Sequence, residues 1–251
     1  MDINGGPFSD PNDRDAMNLG TSVVKEGEPL GLLYGRVATG IIKTQAQLEA
    51  AREEFSLWTI FDPYLNLGDI AYEYEDGFWK EDVIGHATPD FFGGDTNTIN
   101  WNRFTLTALF TFSYGNDLIY QKDVSDSGMS SLANRGTRVL NHYSEDNTSS
   151  NRPRSMWATT YMLSSLNVYD ASYLKLKTLS LSYNLPESIC RKVRIKSASV
   201  YGTATNVFTI TSYPGPDPEV SDDPTSVIGG GRDVSTYPTV KSYTFGIRIN
   251  F

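Results

Sequence analysis

The sequence predicts an all-β chain whose strands belong to a transmembrane antiparallel β-barrel, joined by long outer loops that carry one short helix. Three observations lead there. In the last stretch, Tyr243, Phe245, Ile247, Ile249 and Phe251 alternate with Ser242, Thr244, Gly246, Arg248 and Asn250. That unbroken period of two is a strand with one apolar and one polar face. Short and long connections alternate between such strands, as inner turns and outer loops do in bacterial barrels. No apolar run approaches the roughly eighteen residues of a membrane helix, whereas barrel strands show only about ten alternating residues each.

Taken in order, residues 1–26 are polar, rich in Asn, Asp and Gly, and read as a loop. Residues 29–42 are strand-like with glycine breaks. Thr44 followed by Gln47 forms a capping-box pattern, and Leu48, Ala51, Phe55 and Trp58 recur at helical spacing. This predicts the one short helix, over about 45–57. Residues 91–100 form a strand, and a turn over 99–103 leads into a cleanly alternating strand from Phe104 to Tyr114. A long polar connection over 116–169 follows.

The strand at 173–185 changes phase. Leu174 and Leu176 lie on one parity and Leu179, Leu181, Tyr183 and Leu185 on the other. A β-bulge near Lys177 would bring them to one face. A short basic turn at 186–197 leads to a strand at 198–210, and a long loop at 211–241 leads to the last strand. With the chain's end on the inner side, every long connection (about 43–89, 115–171 and 211–241) falls outside. Met1 is followed by neither a basic nor an apolar leader region, which an outer-membrane protein would need, so the chain is expected to be a fragment.

Several motifs run together in the C-terminal third. They are Ser172-Tyr-Leu-Lys-Leu-Lys, then Leu181-Ser-Tyr-Asn-Leu-Pro186, then Val200-Tyr-Gly-Thr-Ala-Thr-Asn-Val-Phe-Thr-Ile-Thr-Ser-Tyr213. Gly215-Pro-Asp-Pro-Glu-Val220, the pair Tyr237-Pro238 and the ending Tyr243-Thr-Phe-Gly follow. In order and spacing this resembles the C-terminal signature of the SusC/RagA family of TonB-linked outer-membrane transporters, and more loosely the likeness runs upstream to about residue 27. The resemblance implies the last strands of a 22-stranded barrel, spanning residues 1–251 without the plug or the earlier strands. It implies import of glycan or peptide fragments across the outer membrane of a Gram-negative bacterium of the Bacteroidota. The implied partners are a SusD-like lipoprotein, the TonB complex through the absent N-terminal part, and outer-membrane lipid. The alternative reading is a soluble or surface β-sheet module that binds glycans without transport.

The totals narrow the classes. Lys and Arg number 21 against 30 Asp and Glu, a net charge of −9 that argues against nucleic acid as a partner. A single cysteine, Cys190, allows no internal disulfide. His86 and His142 are the only histidines, and nothing in the sequence places a nucleophile beside either, so no enzyme and no cofactor is expected. Gly229-Gly-Gly231 lacks the Lys and helix of a phosphate loop. In the family that the chain resembles, the stretch corresponding to 68–85 looks like a calcium loop; here Tyr72 and Tyr74 stand where its first two oxygen ligands would be, which leaves Asp76, Glu81 and Asp82 as candidate ligands. A solvated acidic loop is the competing reading. Candidate solute-stacking rings are Trp58, Trp79, Trp157, Tyr161, Tyr213 and Tyr237, with interfacial girdle or loop packing as the alternative. Asp217-Pro-Glu219 is expected to set the turn that leaves the preceding strand.

Overall fold

A computed structural model describes residues 16–18, 21–54, 65–75, 78–128, 134–155, 163–221, 230–234 and 237–251. In chain order it begins with β1 (Ala16–Asn18), β2 (Ser22–Lys25), β3 (Leu32–Arg36), β4 (Ala38–Ile41) and α1 (Gln45–Glu54). Next come β5 (Ile70–Tyr72), β6 (Tyr74–Glu75), β7 (Phe78–Trp79), β8 (Glu81–His86), β9 (Phe91–Trp101) and β10 (Phe104–Tyr114). Then follow β11 (Asp117–Tyr120), α2 (Gln121–Gly128), β12 (Val168–Asp170), β13 (Tyr173–Asn184) and α3 (Glu187–Lys192). The chain ends with β14 (Ser197–Thr211), β15 (Arg232–Asp233) and β16 (Ser242–Asn250). It divides into two compact units, one from 1–88, 117–169 and 220–236, the other from 89–116, 170–219 and 237–251.

The second unit is one antiparallel sheet in the order β16-β14-β13-β10-β9. Its strands are 9, 15, 12, 11 and 11 residues long in that order. At about 3.3 Å per residue, an eleven-residue strand tilted by about 45° covers roughly 25 Å, the height of an outer-membrane apolar band. Cross-strand pairing lines up like with like. Trp101, Phe104, Tyr183, Val200 and Ile247 form one row, and Ile99, Leu106, Leu181, Gly202 and Phe245 the next on that face. Beyond the second row, facing the other way, run Thr98, Thr107, Ser180, Thr203 and Thr244. The Ser180 and Thr203 hydroxyls hydrogen-bond at 2.9 Å, and Thr105 donates to Asn100 at 2.8 Å.

Aromatic rings gather at both strand ends. Near the β9–β10 turn, Phe104 lies 6.2 Å from Trp101 and 4.7 Å from Tyr183, centroid to centroid. At the far end, Phe91 stacks on Tyr114 at 5.0 Å. Only β9 interrupts the apolar rows with charge. Asp95 and Asn97 stand opposite Phe110 and Ala108, and the Asn97 amide donates to the Asp95 carboxylate.

The phase change in β13 is a bulge at the expected place. Leu109 pairs with Thr178 and Phe110 with Leu176, so Lys177 is skipped. The extra residue returns Leu174 and Leu176 to the face of Leu179 and Leu181 and leaves Lys175, opposite Thr111 and Thr209, on the polar face. The β9–β10 turn is tighter than the sequence suggests, because Trp101 pairs with Phe104 and leaves two residues. Asn102 takes φ 54 there, the left-handed geometry that two-residue hairpins need.

The first unit is assembled from the long connections. Its sheets are β1-β2-β3-β8, β4-β5, β6-β7 and β12-β11-β15. Val23, Leu32 and Tyr34 form one core cluster, Ile41, Ile70 and Tyr143 a second, and Ile42, Leu48 and Ala51 a third. Helix α1 starts where the capping box places it. The Thr44 hydroxyl accepts from the Gln47 amide at 3.2 Å, and the Gln47 side chain accepts from the Thr44 amide at 3.0 Å. Thr44→Ala is expected to cost about 1 kcal/mol of local stability, read as faster amide exchange over 45–54 with the sheet amides unchanged. Equal exchange in both proteins would show that the cap contributes nothing.

Three sequence expectations are corrected. Residues 16–18 and 22–25 are strands rather than loop, and 116–169 contains β11, α2 and β12. These strands are three or four residues long and owe their pairing to distant partners, β11 to β15 for example, so no local period announces them. There are also three α-helices among the described residues, not one. α3 lies inside the short turn and is too brief to show a period. Its end is held by Ile195 N–H on the Cys190 carbonyl at 3.1 Å, with Arg194 at φ 60. α2 buries carboxylates rather than an apolar stripe: Asp123 and Asp126 are 5% and 7% exposed.

Candidate functional site

The polar face of the sheet carries an ion-pair cluster seeded by the bulge. Lys175, 1% exposed, donates to Asp217 at 3.0 Å and to Glu219 at 2.6 Å. Lys177 reaches Glu219 at 3.0 Å, and the Tyr173 hydroxyl donates to the same carboxylate at 3.1 Å. The second Asp217 oxygen accepts from the Thr239 hydroxyl. Asp217 also accepts from the Glu219 amide at 3.0 Å, the turn geometry expected of this motif. Two cations meet two carboxylates, so the 213–220 loop is pinned to β13 and to the approach to β16. Burial works against both charged carboxyls, but hydrogen bonds outweigh it. Those from Thr239, the Glu219 amide and Lys175 hold Asp217 below its ordinary range, and those from Lys175 and Lys177 do the same for Glu219.

In the first unit a second cluster surrounds Asp123. Arg152 donates to one carboxylate oxygen and the Tyr169 hydroxyl to the other, both at 2.6 Å. Arg138 stands over the Tyr169 ring, 5.3 Å from its centroid. Burial first, then the Asp123 carboxylate, raise the Tyr169 phenol above its ordinary pKa, so it remains a donor. Nearby, Arg154 grips Asp69 in two bonds of 2.7 and 3.1 Å.

The candidate ligands and rings are dispersed. Glu81 and Asp82 are successive residues of β8 and so point to opposite sides. Glu81 lies 3.6 Å from Arg36, and Asp82 accepts from the Val83 amide at 2.7 Å. Asp76 lies outside the described residues, among which no three His, Cys, Asp or Glu side chains gather as a metal would need. Trp58, Trp157 and Tyr161 also lie outside them. Trp79 has the Arg36 guanidinium 3.9 Å over its ring, Tyr213 is 5% exposed and Tyr237 is 83% exposed. His86 and His142 each turn a ring nitrogen to a nearby backbone carbonyl, of Thr88 at 3.1 Å and Val139 at 2.9 Å. The sequence reading missed Lys175, Arg138 and Arg152. The presence of Lys175 and Lys177 inside a Leu-rich strand was the one available signal.

What the sheet offers instead is surface. On its apolar face Tyr243, Phe245, Ile247 and Phe251 are 67–83% exposed, and no second sheet covers them among the described residues. A hollow of about 750 Å³ among Phe104, Leu106, Leu181, Tyr183 and Phe245 lies on that same face. It is lined by apolar atoms and suits hydrocarbon rather than a polar solute. Long strands, two aromatic bands and an uncovered apolar face match a wall segment of an outer-membrane type of β-barrel.

The comparisons with known proteins agree. The chain is 31% identical over 236 residues to TonB-dependent receptor P3 of Formosa agariphila, covering 92% of the chain and 23% of that protein. TonB-dependent receptor P26 of the same organism is 26% identical, over 100% of the chain and 26% of the receptor. Among solved structures, the RagAB peptide transporter matches with a TM-score of 0.69 at 24% identity, over 94% of the chain and 24% of that chain. The closed-closed state of the RagAB peptide importer gives 0.68 at 25% identity, over 94% and 25%. No family model matches. The chain is thus similar to TonB-dependent receptors and to the RagAB transporter fold, and it spans about a quarter of the length of these relatives.

Proposed function

We propose that the chain is the C-terminal wall and outer-loop portion of a TonB-dependent importer in the outer membrane of a Gram-negative bacterium of the Bacteroidota. The single observation that carries this reading is the uncovered apolar face of a sheet whose other face is Thr- and Ser-lined. Water would not tolerate that face, and lipid would. Residues 1–251 form one part of the importer, with the plug and the earlier strands outside them. The cargo is a glycan or peptide fragment, and the RagAB peptide importer among the structural relatives supports the peptide class. A SusD-like lipoprotein closes over the outer loops, and TonB acts through the plug. The role is passage rather than catalysis. Among the described residues both β9 and β16 are open edges, and a bilayer leaves unpaired backbone groups unsatisfied. The five strands therefore work only beside the rest of a barrel.

Size-exclusion chromatography of the purified chain, with and without detergent, tests the reading. The chain is expected to remain dispersed only in detergent or lipid. A monodisperse monomer in plain buffer would overturn the reading in favour of a soluble glycan-binding module.

A further inference from the structure

We propose that the basic turn between β13 and β14 is a docking surface for anionic phospholipid headgroups of the inner leaflet, on the short-turn side of the wall. The surface is built at one rim of the second unit. The Asn184 N–H donates to the Arg103 carbonyl and the Lys196 N–H to the Asn250 carbonyl, both at 2.9 Å. Those bonds set the two short turns and the end of β16 side by side. Arg191, Lys192, Arg194 and Lys196 are exposed on this rim, and the β9–β10 turn adds a half-buried Arg103. Against these five cations the two turns carry one carboxylate side chain, Glu187, which pairs with Arg191 at 2.9 Å. Among the described residues no carboxylate pairs with Lys192, Arg194 or Lys196. The whole chain carries −9, so this rim runs against its average.

Charge alone would suit any anion, and two further features select a bilayer surface. Ile189 and Val193, one helical turn apart, are exposed among the cations, while Cys190 of the same helix is buried. Apolar side chains set among Lys and Arg are the pattern of a segment that lies in the boundary between headgroups and acyl chains. The Ile195 N–H on the Cys190 carbonyl and the left-handed Arg194 close α3, so the cations are presented from a fixed turn. The second feature is depth. Trp101, Phe104 and Tyr183 form the aromatic band at this end of the sheet, the level of the membrane interface. Asn184 follows Tyr183 directly, so the turn begins where the headgroups begin. There the long stems of Lys and Arg stay with the apolar boundary while their heads meet anionic lipid. A soluble phosphate needs donors that converge on one point, whereas cations spread along an exposed turn fit a charged plane.

The assignment to the inner leaflet rests on the barrel-wall reading, but the charge preference does not. Native mass spectrometry of the full chain in neutral detergent, titrated with phosphatidylglycerol or with phosphatidylcholine of the same acyl chains, tests it. Phosphatidylglycerol is expected to bind about tenfold or more tightly. The triple variant Lys192→Gln, Arg194→Gln, Lys196→Gln should lose that preference. The charge-keeping triple Lys192→Arg, Arg194→Lys, Lys196→Arg should retain it, with amide exchange over β13 and β14 showing that both remain folded. Glycerol 3-phosphate at the same concentration should not compete.

Equal binding of the two lipids would leave the turn to water or to an acidic protein and would overturn the proposal. So would a preference that survives the Gln substitutions, or one lost equally in the charge-keeping triple. Effective competition by glycerol 3-phosphate would make this a soluble-anion site and would overturn it too. Each of these failures leaves the importer reading standing, because none depends on whether the chain needs detergent. A chain monodisperse in plain buffer overturns that reading instead, whatever the lipid preference.

Discussion

Leu179→Arg is expected to cost about 2–4 kcal/mol of folding stability in a lipid environment, because it puts a guanidinium at mid-strand on the outward face. Ser180→Arg, one residue further along β13, should cost no more than about 1 kcal/mol, the worth of the hydrogen bond it breaks with Thr203. The two positions share a strand and a depth and differ only in face. Leu179 lies in the row of Ala108, Ala204 and Tyr243, and Ser180 in the row of Thr107, Thr203 and Thr244. Denaturant titration of both variants in phospholipid bicelles measures the contrast. Equal costs would mean that the apolar face is not the lipid face, and the barrel-wall assignment would fall.

Lys175→Met should be nearly as damaging. The side chains of Lys175 and Asp217 are 1% and 4% exposed, so deleting the cation strands a buried carboxylate. Breaking a buried pair from one side costs about 3–5 kcal/mol. The lower end applies, since Glu219 keeps Lys177 and Asp217 keeps Thr239. The double change Lys175→Met with Asp217→Asn should recover part of the loss, because the stranded charge is removed.

Acid gives an independent check. Both carboxyls have folded pKa values below their ordinary ones. Their contribution is therefore present above the unfolded carboxyl pKa of about 4 and is lost as the pH falls through the lower folded values. The gap between wild type and Lys175→Met should narrow over that range. A loss under about 1 kcal/mol at neutral pH, or a gap that widens in acid, would show that the cluster does not pin the loop.

The sequence by itself determined the wall. Strands of 9–15 residues with one face in lipid and one in water must alternate, so β9, β10, β13, β14 and β16 could be read from residues such as Phe245 and Thr244. The slip between Leu176 and Leu179 placed the bulge, because only one inserted residue reconciles the two parities. Thr44 and Gln47 placed the start of α1 for the same reason: the capping chemistry is local.

The tertiary structure alone decided the rest. That Lys175 neutralises Asp217, forty-two residues away, depends on a loop folding back over the sheet, and charges in a loop sequence do not name their partners. Apart from α1, the long connections were legible only as polar chain, yet they form a unit with its own cores, because strands such as β11 and β15 are too short to carry a period and are held by long-range pairing. The ion-pair cluster at Asp123 follows from that assembly. Residues 123, 138, 152 and 169 have no spacing that marks them as neighbours, and only packing sets two arginines around one carboxylate.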